Sequence, residues 1–442
     1  MRKRFLLILL AVVLVTALIF SGCKPAPKGP EEIIIGSSAM VTGMYAGFGE
    51  SAVFGYRAAV EDINKLGGIY LEEYGTKLPV RFIAADNESD TTKVGTLAED
   101  LILRDNVQFL LTPPGPPTVQ APVATVADRH KIPHIVAGNP LEPWLGMRQE
   151  VTPPWEYSWS IGFAIVTPAP AGDFRYGLSG FTIKDTWLDM LNMFGGQTNK
   201  KAGVFASDDA DGVAWYSLFP QVLEEWGADV LGEERKLGLF PMETTDYTSM
   251  IEEWKDYGCE ILWGNCPAPH FGTMWRQCHA LGFQPKMVFA GRAALFYVDA
   301  NSWGGDLPQG IGTEIWWSSS YQIPGFGDTT PQSLTDRWTE ATGQPFNPSV
   351  GASYATVQIL VDAIERAGTL DPEAVNKAIG ETDLMTMIYR VKFDEDQYSR
   401  YPLIFGQWQK TDKPWVWELP IVLSKHDFLP VQADPIFPIP YD

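Results

Sequence analysis

The sequence of 442 residues is 45% apolar and carries 33 basic against 54 acidic residues, a formal charge of −21. That length and apolar content supply at least two hydrophobic cores, at roughly 100–200 residues per domain, and exclude a disordered chain. The acidic balance argues against nucleic acid as a partner, because a phosphate backbone is held by Lys and Arg.

In chain order, MRKRF leads into an almost unbroken apolar run from Phe5 to Phe20, then Ser21, Gly22 and Cys23. A basic head followed by a short apolar core reads as a signal peptide over residues 1–22, too short for a comfortable membrane span. Small residues directly before Cys23 resemble a bacterial lipobox, so Cys23 is the expected lipidation site and KPAPKGPEE a flexible tether over residues 23–32. Removing residues 1–22 takes away Arg2, Lys3 and Arg4 and no acid, leaving 30 basic against 54 acidic residues, or −24. Cys259, Cys266 and Cys278 remain beside the lipidated cysteine, and an odd number of thiols excludes a full disulfide framework.

Strands and helices then alternate. EEIIIGSSAM supplies an apolar strand near residues 33–37, and Val53, Tyr56, Val60 and Ile63 recur at helical spacing behind it. LPVRFIAAD, VQFLL and IPHIVAG read as buried strands, with TTKVGTLAEDLILRDN placing Val94, Leu97 and Leu101 on one helix face. Beyond an irregular region rich in Pro and aromatics at residues 140–180, KKAGVFAS, ADVLGEER, EILWGN and KMVFAG begin a second set. This βαβ rhythm predicts two α/β lobes, with ligands bound outside the carboxyl ends of the parallel strands.

AGFGESA at residues 46–52 has the glycine spacing of a dinucleotide loop, but SAMVTGMYA separates it from the strand where a pyrophosphate turn would begin. We expect instead a broad loop of small residues that enters a helix at Glu50 or Ser51, with Phe48 on the cleft side.

Three blocks carry a resemblance. IIIGSSAMVTGMYAGFGESAVFGYRAAVEDINKLGGI with FIAADNESDTTKVGTLAEDLI, then TPPGPPTVQAPVATVADRHKIPHI and DYTSMIEEWKDYGCEILWGNCPAPHFGTMWRQCHALGF, then KFDEDQYSRYPLIFGQWQK, resemble in order the branched-chain amino acid binding proteins of ABC importers. The resemblance covers nearly the whole exported chain. It implies a type I periplasmic binding fold: two lobes, each a parallel-sheet α/β sandwich, joined by three hinge crossings and closing on a small solute. The crossings are expected near Tyr157–Ile161, Glu314–Ser318 and Tyr389–Phe393, giving lobe 1 as residues 33–158 and 318–390 and lobe 2 as 159–317 and 391–442.

The resemblance also implies ligand positions. Phe48 matches an aromatic that closes over the solute. Pro113, Pro114, Pro116 and Pro117 stand where relatives offer backbone N–H groups to a carboxylate, leaving Gly115 and Thr118 as donors. AGN at residues 137–139 adds Gly138 and Asn139. DADG puts Asp211 where many relatives have a tyrosine, although a solvated turn explains it equally well. NCPAPH brings Cys266, Ala268 and His270 to a loop after a strand. FAGRAA puts Arg292 where amino-acid-specific relatives use an acid to hold the ammonium, so a solute without an amino group, an aromatic or branched carboxylate, is one expectation and a branched-chain-amino-acid-like solute the other.

No cofactor is expected. Cys266, His270, Cys278 and His279 do not make a metal site, since Cys278 and His279 are adjacent and point apart on a helix, and NESDTT is explained by a helix cap at Asp90 or Thr91. A secreted α/β enzyme is a competing reading, but there is no GxSxG elbow and the five His have no partner-like setting. A ligand sensor would call for a membrane segment and a signalling domain, and the sequence runs to PIPYD without either. The expected protein is a monomeric, lipid-anchored solute binder facing the periplasm or cell exterior, delivering to an ABC permease.

Overall fold

The computed structural model describes residues 29–232 and 237–441, so the expected signal peptide, Cys23 and most of the expected tether lie outside the described residues. Six parallel strands form the first sheet, in the order Tyr398–Arg400, Ser158–Gly162, His134–Val136, Phe109–Thr112, Ile33–Ala39 and Val80–Asp86. FLLT and HIV are buried at every position, as strands covered by helices on both faces must be. The second sheet runs Leu239–Phe240, Lys201–Ser207, Ile261–Asn265, Met287–Gly291, Gly312–Ile315, Ile404–Gln407 and Ile421–Leu423, with Asp229–Leu231 also paired to Lys201–Ser207. Its first five strands are parallel, and the last two add antiparallel.

The helix after the first strand spans Ala46–Lys65, so AGFGESA is helical from its first residue and not the loop expected from the sequence. Its glycines answer to packing. A Cβ on Gly49 would lie 2.1 Å from the Met40 carbonyl oxygen, and one on Gly55 would lie 2.3 Å from that of Val350 on the neighbouring Pro348–Ala367 helix. Asp90 caps the Thr91–Leu103 helix through the Thr92 N–H, as NESDTT suggested.

Sheet membership shifts two of the three expected crossings. Ser158–Gly162 belongs to the first sheet, so the chain leaves it only after Gly162. It returns after Ile315, within the expected Glu314–Ser318. The third expected crossing, Tyr389–Phe393, instead holds Tyr389–Lys392, the second strand of a hairpin with Asp383–Thr386. The chain then pairs Tyr398–Arg400 with Ser160–Gly162 and passes to the second sheet between Tyr401 and Leu403. The sequence misleads here because YSR is three residues long and carries no apolar run, although all three residues are buried.

Arg175, in the excursion after the first crossing, pins the third one. Its side chain is fully buried, held by Asp173, and it donates to Ser399 Oγ (3.1 Å), the Lys392 carbonyl (3.1 Å) and the Arg400 carbonyl.

Candidate functional site

The carboxyl ends of both sheets face one another across a cleft enclosing about 330 Å³ of space not occupied by atoms. Each crossing contributes one ring to it: Phe163, Trp316 and Tyr401. Their centroids lie 6.0 Å (Phe163 to Trp316), 6.1 Å (Phe163 to Tyr401) and 6.4 Å (Trp316 to Tyr401) apart. From the first lobe Phe48 meets Phe296 of the second edge to face at 4.5 Å, so the aromatic expected to close over a solute spans the two lobes. Trp215 and Leu295 complete the apolar walls.

Of the residues expected from the sequence, Phe48, Gly115, Gly138, Asn139, Asp211 and Arg292 line the cavity, whereas Thr118 and Ala268 do not. Thr118 sits in the short turn Pro117–Val119, and Ala268 opens the Ala268–Ala280 helix. Gly115 and Asn139 are not the free donors anticipated. Its four prolines leave the loop few N–H groups, and the loop is stitched to the next one: Gly115 N–H donates to the Gly138 carbonyl, and Gln120 Nε2 to the carbonyls of Pro113 and Gly138. Asn139 donates to Gln120 Oε1 (2.9 Å) and accepts from Ser160 Oγ (2.8 Å). Cys259, Cys266 and Cys278 are buried free thiols, and His270 shares a 2.7 Å hydrogen bond with the Tyr247 hydroxyl.

Arg292 follows the Met287–Gly291 strand with φ of 57°, the left-handed region that costs a non-glycine residue about 1–3 kcal/mol and tends to occur at functional sites. Its guanidinium is already engaged. Nη1 and Nη2 donate to the Asp209 carboxylate at 2.7 and 3.1 Å, Nη2 also to Ser207 Oγ at 2.7 Å, and Nη1 lies 3.3 Å from Asp211 Oδ2. These acids come from the turn and helix after the Lys201–Ser207 strand, in the same lobe. The charge reversal inferred from Arg292 alone is therefore offset locally by Asp209.

Burial opposes ionisation of Asp209, yet the Arg292 charge and its hydrogen bonds outweigh burial and hold the carboxyl below the usual range. Asp211 is displaced upward, chiefly by burial, with the neighbouring Asp209 charge adding to it and Arg292 only partly offsetting it. Its oxygens accept from Trp215 Nε1 and Asn265 Nδ2, both at 3.0 Å. Glu314, at the end of the Gly312–Ile315 strand, is pushed up to about 8 by burial.

Sequence reasoning missed Glu314, Trp215, Asn265 and Tyr401 as lining residues. Two signals were present: Glu314 and Trp316 fall within the expected second crossing, and Trp215 stands four residues after Asp211 on the same helix face. Four polar atoms on lining residues are buried without a hydrogen-bond partner: Arg292 Nε, Trp316 Nε1, the Tyr401 hydroxyl and Asn265 Oδ1. Ten further buried polar atoms without a partner lie away from this cavity among the described residues, so what sets these four apart is that their residues line one cavity.

The sequence model of the family described as Periplasmic binding protein matches residues 32–413. Among curated proteins, the chain is 25% identical to the Leu/Ile/Val-binding protein homolog 3 of Brucella melitensis over 367 residues, 81% of this chain and 87% of that protein. Among solved structures, the branched-chain amino acid transporter substrate binding protein LivJ of Streptococcus pneumoniae, in complex with isoleucine, aligns with a TM-score of 0.67 at 15% identity, covering 92% of this chain and 100% of that one. A solute binding protein of an R. palustris ABC transporter, in complex with 4-hydroxybenzoate, aligns with a TM-score of 0.67 at 18% identity, covering 89% and 96%. With the family model spanning the first sheet, all but the last strand of the second and all three crossings, the chain belongs to the periplasmic binding protein family, a class of extracytoplasmic solute-binding proteins.

Proposed function

We propose that this protein captures a small carboxylate with an aromatic or branched apolar body and delivers it to an ABC permease. The carrying observation is the imbalance among the orphaned polar atoms. Arg292 Nε and Trp316 Nε1 are donors only, the Tyr401 hydroxyl can donate, and Asn265 Oδ1 alone is an obligate acceptor. A carboxylate is acceptor-only and complements such a set, whereas an ammonium, with three donors and no acceptor, does not. The rings of Phe48, Phe163, Trp215 and Trp316 suit an apolar body. Proteins of this fold have been solved in complex with isoleucine and with 4-hydroxybenzoate, a branched and an aromatic carboxylate. The lining includes no Ser, Thr, Cys, His or Lys, which favours capture over turnover by a nucleophile and its base.

Calorimetry with benzoate, 4-hydroxybenzoate, isovalerate and isoleucine tests the solute class. At least one of the three amine-free acids is expected to bind more tightly than isoleucine. Tyr401→Phe is expected to weaken it by roughly 1.5–3 kcal/mol, the worth of a hydrogen bond to a charged group. Tight isoleucine binding indifferent to Tyr401→Phe would overturn the reading. We also propose that maturation leaves Cys23 as the first residue, carrying at least two acyl chains, since one alone anchors only marginally. Cys23→Ser should release or misprocess the protein, and an intact mass showing an unmodified chain cut elsewhere would refute the anchor.

A further inference from the structure

Glu314 is the one cavity-lining carboxyl without a cationic partner. Its side chain is buried (the residue is 1% exposed), accepts from Thr313 Oγ1 at 3.0 Å and makes no ion pair among the described residues. The nearest guanidinium, on Arg292, is committed to Asp209 and Asp211. The strands on either side, MVFAG and IFGQ, bring no titratable residue. On the packed Ile183–Phe194 helix, Lys184 pairs with Glu225, Asp189 with Lys425, and Asp185 accepts from the Gly180 N–H. The charged and titratable groups around Glu314 are therefore Asp211, Arg292 and the Tyr401 hydroxyl, with Asp209 behind the guanidinium and Tyr45 and Cys266 beyond it. Ionising Glu314 would add an uncompensated buried charge to a cavity meant, on the reading above, for an anion.

We propose that Glu314 is a specificity-determining residue that acts as a neutral carboxylic acid, donating its proton in a hydrogen bond to the solute carboxylate, so that capture is linked to one proton. The inference rests on the carboxylate reading. Nothing covalent happens. Below the titration of Glu314 the proton is already present, and above it each binding event takes one proton from solvent. Tyr45 and Cys266 are pushed up to about 12, chiefly by burial, so their ionisation does not overlap that of Glu314, pushed up to about 8. Asp211 is the remaining carboxyl to be separated. An ionised Glu314 would instead favour an ammonium, which makes the residue's protonation state a selector between solute classes.

The test uses benzoate and isovalerate, whose own carboxyls do not titrate near neutrality, on the mature protein, Glu314→Gln and Asp211→Asn. In the unsubstituted protein the dissociation constant is expected to rise by about 10-fold per pH unit above roughly pH 8, with uptake of about one proton per solute read from calorimetry in buffers of different ionisation enthalpy. Glu314→Gln, which keeps a neutral donor of the same shape, should bind within about threefold of the unsubstituted protein at pH 6 and show a flat profile to pH 9. Persistence of the step in Glu314→Gln, or its loss only in Asp211→Asn, overturns the proposal. If no probe binds, the solute class fails, while infrared titration of the ligand-free protein still decides Glu314. A protonated-carboxyl band at pH 7, absent from Glu314→Gln and lost above about pH 8, supports the proposal, and its absence at pH 7 refutes it.

Discussion

Removing the Arg292 guanidinium would strip Asp209 and Asp211 of the only cation within ion-pair distance of them among the described residues, and both acids are buried or nearly so. Breaking a buried pair by deleting one partner typically costs about 3–5 kcal/mol, because the remaining charge is left uncompensated, whereas a residue serving only as a ligand contact would cost little in the ligand-free protein. Arg292→Ala is therefore expected to lower the unfolding free energy by about that amount in urea denaturation without solute. Arg292→Ala combined with Asp209→Asn should recover part of it, since the charge left behind is removed as well. Equal stability of Arg292→Ala and the unsubstituted protein would return the guanidinium to a purely ligand-facing role. The position of Arg292 at a strand end was legible in FAGRAA. Its partner was not, because Asp209 lies 83 residues away and nothing local links DADG to FAGRAA before the two strands are placed in one sheet, on either side of Ile261–Asn265.

At the scale of elements, the parallel strands were the readable part. IIIGSSA, VFAS and MVFAG are apolar runs bounded by turn residues, which is how strands buried on both faces look in sequence, while VRFIAAD was equally readable although it forms a half-buried edge strand. Tyr398–Arg400 carried no such run, and its polar residues are buried because Arg175 and Asp394 bond to them; Arg400 lies 2.9 Å from Asp394 and Ser399 Oγ 3.1 Å from Arg175 Nη1. Glycines told a similarly mixed story. Those of AGFGESA imitate a phosphate loop, yet their role, like that of Gly55 after them, is to let neighbouring chain approach. Gly55 brings the Ala46–Lys65 helix against the Pro348–Ala367 helix, and its missing Cβ would sit 2.3 Å from the Val350 carbonyl oxygen and 3.1 Å from Ser353 Cβ. Backbone cannot give way as a side-chain tip can. Gly55→Ala should therefore destabilise the protein by about 1–3 kcal/mol, the usual cost of overpacking, despite the better helix propensity of Ala. A thermal unfolding midpoint at or above that of the unsubstituted protein would show that the helices can separate without cost.

For the whole molecule the question is how occupancy of the cavity relates to the angle between the lobes. The rings of Phe163, Trp316 and Tyr401 are at once the cavity lining and the residues on which the chain crosses, so a solute touching them touches the hinge. Across the mouth the approach of the lobes is limited by Gly47, where a Cβ would lie 2.5 Å from Phe296 Cδ2 and 3.0 Å from its Cγ. Phe296 is itself buried and packed against Phe48, so its ring has little freedom to yield. Gly47 has no positive φ, and a larger residue there does not strain the helix that carries it. Gly47→Leu should thus act on closure alone. If it reduces the population of the closed state to a tenth, the apparent dissociation constant rises about 10-fold, because affinity scales with the fraction of competent molecules. The unfolding midpoint of the ligand-free protein should stay unchanged. Small-angle scattering should show the unsubstituted protein contracting when saturated with solute and Gly47→Leu contracting less. Full contraction with undiminished affinity in Gly47→Leu would mean that the Gly47–Phe296 approach does not limit closure, and that the hinge sets its end point elsewhere.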